Sequence, residues 1–132
     1  MKYSESLNFV VQRAKFIKTQ YFQDAEEKAD YYFLAILLFA TIEATKQPMH
    51  CEERDVVIQL LEKHFKEEPE KMKTLLIREC RIKKEQLWPV ELYLQRAEKL
   101  AENTQTEEVQ VKHLLEALLK NPTPIMKTYV LH

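Results

Sequence analysis

None of the 132 residues is glycine. That absence constrains the chain more than any motif it carries. Phosphate-binding P-loops and dinucleotide fingerprints need glycine where backbone approaches phosphate or takes a positive φ. Nucleotide binding by either route is therefore excluded, and tight type I′ hairpins are hard to build. Helices need no such freedom, so the expected fold is all-α. The length suits one domain with one core, residues 1–132 throughout. Its 45% hydrophobic and 31% charged content fits a globular protein.

Twenty basic and twenty-one acidic residues leave a net charge of −1. This balance offers no electrostatic footprint for nucleic acid or for an anionic membrane. The longest apolar run, Tyr31 to Ile42, is far short of the roughly 20 residues of a membrane span. The amino terminus, MKYSESLNF, places Glu5 and Asn8 where a signal peptide needs apolar residues. Cys51 and Cys80 make no disulfide framework, and the cytoplasm is the expected compartment.

Periodicity fills in the helices. Leu7, Val10, Val11, Ala14 and Ile17 form an amphipathic stripe. Asp30 is placed to cap a second helix, FLAILLFATIEA, which is apolar nearly all round and belongs at the centre of a bundle. Val56, Val57, Leu60, Leu61, His64 and Phe65 mark a third, and Pro69 opens a fourth. Pro89 is expected to open a fifth, with Asn103 as its left-handed C′ residue. A sixth covers about Val111 to Lys120 and stops at Asn121-Pro122, and residues 124–131 read as the start of a seventh.

The pattern repeats. Val11-Gln12-Arg13-Ala14 matches Leu94-Gln95-Arg96-Ala97 at an offset of 83, and Tyr32 through Leu38 matches His113 through Leu119 at an offset of 81. The two-residue difference falls in a connection between helices, where insertions are tolerated. The expected units are repeat one at about 1–81, a connector at about 82–89 and repeat two at about 90–132. Leu37 and Leu118 are then equivalent buried positions.

This arrangement resembles the N-terminal domain of the Clp-family AAA+ unfoldases, a pseudo-twofold duplication of a four-helix unit. The resemblance rests on Leu94-Gln95-Arg96-Ala97 and on Val109, Val111, His113, Leu114, Leu115, Ala117, Leu118 and Leu119. It implies that repeat two lacks its last helix. It also implies a bacterial chaperone and proteolysis component whose AAA+ modules lie in the same polypeptide. The implied role is non-enzymatic and without cofactor or metal: binding unfolded or tagged substrate proteins, or adaptor proteins, for an unfolding motor. Some relatives use a glutamate before the motif histidine to recognise phosphorylated arginine. That position is Tyr31 in one half and Lys112 in the other. Without a carboxylate there, phosphoarginine recognition is not implied.

Other candidates read less sharply. His113 is expected to be a polar side chain satisfied at a helix start, since Tyr32 holds the equivalent place. His50-Cys51, His64 and Cys80 fit no common zinc spacing. Arg78, Arg81, Lys83 and Lys84 suit a solvated helix end. Tyr21, Phe22 and Trp88 lie near breaks outside the apolar stripes, either as half-buried plugs or as an exposed patch for a partner. These three are the candidate protein-binding residues. A free-standing helical scaffold with the same fold is the alternative to a motor-linked domain, and a nucleic-acid binder using residues 78–84 is the weaker third.

Overall fold

A computed structural model describes residues 2–24, 26–41, 51–82 and 90–131. Among the described residues the fold is all-α apart from two very short pairings. In order, the described elements are strand β1 (Lys2–Tyr3), α1 (Glu5–Phe16) running into a π-helical turn (Ile17–Tyr21), and α2 (Ala29–Ala40). Then come α3 (Cys51–His64), α4 (Pro69–Ile82), α5 (Val90–Asn103), β2 (Glu108–Val109), α6 (Val111–Lys120) and the single turn α7 (Pro124–Lys127).

Helix α2 is the axle. All twelve of its residues are buried, and α1, α3, α4 and α6 pack around it. A helix apolar on every side has no face to offer water, so it can only be stable with neighbours all round. Phe33 stacks on Phe65 at 5.2 Å and Phe39 meets Phe9 at 6.4 Å. The predicted stripe of α1 faces inward: Leu7, Val10, Ala14 and Ile17 are buried, while Val11 sits at the edge. Leu37 and Leu118 are both fully buried. So are Ala14 and Ala97 of the two QRA triplets, whose glutamines are exposed.

Several local expectations need correction. Lys28, not Asp30, occupies the N-cap position of α2, and Asp30 lies in the first turn. There it is drawn into the interior, where its Oδ1 accepts the Thr123 hydroxyl hydrogen bond at 2.5 Å. Thr123 in turn caps α7 by accepting from the Met126 N–H at 3.2 Å. Helix α5 does end at Asn103, but the left-handed residue is Gln105, with φ 55°. The Gln105 N–H bonds the Glu102 carbonyl and the Thr106 N–H bonds the Ala101 carbonyl, a Schellman closure. Gln23, φ 49°, does the same work after the π-turn, where the Asp24 N–H reaches the Lys18 carbonyl at 2.9 Å. Glutamine takes the place that glycine fills elsewhere. Pro89 lies outside the described residues; Pro69 opens α4 as expected.

The segment 124–131 is not one helix. After the turn of α7, Val130 forms an antiparallel bridge with Phe65. The Lys66 N–H donates to the Tyr129 carbonyl and the Leu131 N–H to the His64 carbonyl, both at 2.8 Å. Strands β1 and β2 pair in parallel, Lys2 with Glu108 and Tyr3 with Val109. Each lies just before a helix start, where backbone polar groups need partners. Glu53 joins the same region. Its Oε1 accepts from the Ser4 hydroxyl at 3.0 Å and from the Val111 N–H at 2.6 Å, tying α3 to the start of α1 and of α6.

Candidate protein-interaction face

Helix α1 carries a second stripe. Phe9, Arg13 and Phe16 follow at i, i+4 and i+7, so they share a face away from the buried one. With Gln12 they line a hollow of about 310 Å³. The Arg13 guanidinium carbon lies 5.4 Å from the Phe9 ring centre and 5.2 Å from that of Phe16. Phe9 is held from beneath by Phe39. Phe16, 45% exposed, meets the edge of Tyr21, 42% exposed, at 6.1 Å. Two large rings thus stand in solvent beside a stacked cation.

The π-turn decides which aromatic faces outward. In a continuing α-helix Tyr21 would follow Ile17 by four residues and lie on the same inner face. Here the Phe22 N–H bonds the Ile17 carbonyl instead, the i→i+5 pattern. Phe22 therefore takes the inward place and Tyr21 is turned out. Phe22 is half-buried and stacks on Tyr31 at 4.9 Å with the rings 6° apart. The Tyr31 hydroxyl donates to Asp24 at 2.7 Å, and Lys28 closes on Asp24 at 3.3 Å. The Tyr31 donation, reinforced by Lys28 and opposed by desolvation, holds the Asp24 carboxyl below its usual value.

Of the three aromatics predicted as contacts, Tyr21 is exposed and Phe22 braces the turn; Trp88 lies outside the described residues. Phe9 and Phe16 were not singled out in the sequence. Their signal is the i, i+7 spacing, legible once the buried stripe of α1 has been subtracted.

Two of the polar candidates, His113 and Cys80, are internal. His113 is 1% exposed, and its Nδ1 accepts the Gln110 N–H at 2.9 Å, while its buried Nε2 has no partner among the described residues. Burial, and to a lesser degree Lys112, pushes its pKa down, so the ring is neutral and out of reach of an external substrate. Cys80 is buried, and desolvation, with the nearby Asp30 charge, pushes its thiol up to about 12. Such a thiol is a poor nucleophile near neutral pH. Among the described residues no group of three or more His, Cys, Asp or Glu side chains is placed to hold a metal ion. His50 and the Cys51 side chain lie outside them, as do Lys83 and Lys84; Arg78 and Arg81 are exposed on the last turns of α4. No described helix is long and apolar enough to cross a membrane.

Comparison with protein-family models, curated proteins and solved structures finds no significant match to this chain.

Proposed function

We propose that this chain is a non-catalytic protein-binding domain that receives substrate or adaptor proteins for a Clp-type AAA+ unfoldase in the cytoplasm. The observation that carries the reading is the ledge of Phe16 and Tyr21 beside Arg13. Contact surfaces favour aromatics and arginine, and exposed apolar groups of this size are costly to keep without a use. Like packing of the paired helices supports the Clp resemblance. Helix α1 packs on α2 as α5 packs on α6. The aligned pairs Ala14 and Ala97, Tyr32 and His113, and Leu37 and Leu118 are buried alike.

A receptor that hands its cargo to a motor must release it. Affinity near the micromolar range, about −8 kcal/mol, fits that task. The test is a titration of an unfolded casein into the wild-type chain and into a Phe16→Ala/Tyr21→Ala variant. The variant is expected to bind roughly tenfold more weakly, as loss of about 1 kcal/mol or slightly more implies. Its circular dichroism should be unchanged. Equal binding by both chains removes the ledge as the site. No binding by either removes the receptor reading.

A further inference from the structure

A different hollow, of about 590 Å³, lies where the carboxyl end of α2 meets α3 and the start of α4. That volume is within the roughly 300–1,000 Å³ of ordinary ligand sites. Its floor is apolar, built from Ile58, Phe65 and Pro69. Among the described residues its rim carries four carboxylates, Glu62, Glu67, Glu68 and Glu70, against one ammonium, Lys66. Lys71 and Lys73, outside the hollow, pair with Glu67 and Glu70 at 3.0 Å each. Glu62 and Glu68 are exposed and have no ion-pair partner among the described residues.

An apolar floor beside two carboxylates that have no ion-pair partner among the described residues selects for an apolar side chain flanked by positive charge. We infer that this cleft binds a basic-apolar segment of a partner polypeptide, one bulky aliphatic or aromatic residue on the floor with lysine or arginine reaching Glu62 and Glu68. The cleft shares no residue with the Phe16–Tyr21 ledge, so the inference stands apart from the proposed function of that face. The rim sets the sign of the partner's charge, and the floor sets its size.

The experiment uses two labelled peptides with the same leucine-phenylalanine core, one flanked by lysines and the other by glutamates, followed by fluorescence anisotropy. The lysine peptide is expected to bind and the glutamate peptide not. Glu62→Gln/Glu68→Gln should weaken the lysine peptide by roughly 2- to 30-fold, the range two exposed ion pairs allow. Added salt should narrow the difference. Phe16→Ala should leave this binding unchanged. Backbone amide shifts on titration should cluster at Ile58, Phe65 and Glu70. Equal binding of both peptides, binding of neither, indifference to the double substitution, or shifts confined to α1 would each overturn the inference.

Discussion

Replacing Thr123 with valine keeps the shape of the side chain and removes its hydroxyl. In the native chain that hydroxyl does two things at once. It donates to Asp30, 5% exposed, and it accepts from the Met126 N–H at the start of α7. A hydrogen bond to a buried charged group contributes about 1.5–3 kcal/mol, and a threonine N-cap contributes about 1. Thr123→Val is therefore expected to lower stability by roughly 2.5–4 kcal/mol near neutral pH. The loss should depend on pH in a defined direction. Desolvation raises the Asp30 pKa above its ordinary 3.8, while Thr123 and then Lys28 hold it down. With a raised folded value, stability from the protonated acid is full below the unfolded pKa and is lost as pH rises through the folded one. Without Thr123 the folded value climbs further, so the cost of the substitution should shrink on acidification. Urea titrations followed by circular dichroism, in a cycle with Asp30→Leu and the double variant, measure the coupling. The double variant should cost only about 1 kcal/mol, the lost cap, because no buried carboxylate is left without its donor. A Thr123→Val loss under 1 kcal/mol, or one that grows on acidification, would refute this account of the buried pair.

Four further outcomes are expected. Phe22→Ala should cost about 2–3 kcal/mol, less than a fully buried ring but including its stacking on Tyr31; Tyr21→Ala should stay within about 0.5, and thermal melts of the two compare them directly. Gln105→Gly should stabilise by roughly 0.5–1 kcal/mol, because glycine adopts the φ of 55° without the penalty a side chain carries; a lower melting temperature would contradict that. The depressed His113 pKa means that the unfolded chain takes up the proton first, so stability held above about pH 6.5 should fall as pH drops toward the folded value. A His113→Gln variant should have a flatter profile across that window. Leu37→Ala and Leu118→Ala should each cost about 2–5 kcal/mol, and a loss under 1 at either would mean that site is not core.

Much of this architecture was legible locally. The apolar stripe of α1, the all-round apolarity of α2, the opening of α4 at Pro69 and the stop of α6 before Asn121-Pro122 each follow from residues within one or two turns. What escaped depends on partners far along the chain. Lys2 finds Glu108, Phe65 finds Val130, and Glu53 finds Ser4 and Val111; no window of ten residues contains those meetings. The π-turn is a subtler case. Ile17 to Tyr21 carries no proline or glycine to announce a change of pitch, and only the stacking of Phe22 on Tyr31 shows which ring won the inward place. The ledge was half legible for the same reason, with Tyr21 visible at a helix end and Phe16 concealed inside an otherwise ordinary helix.

Before it is an axle, α2 is a hazard. Residues 31–40 read YYFLAILLFA, ten residues with no charge, no proline and no glycine, rich in aromatic and aliphatic side chains. On a ribosome or in a refolding tube such a segment is a template for intermolecular β-pairing until its neighbours arrive. Lys28 and Asp30 stand directly before it, and in the finished fold they are 6% and 5% exposed, a setting in which charge is expensive. Besides their contacts in the fold, charges placed so suit gatekeepers, which help keep an apolar segment solvated and apart from its copies until it is buried. The Asp30→Leu/Thr123→Val chain, nearly as stable at equilibrium, should therefore refold in lower yield as its concentration rises.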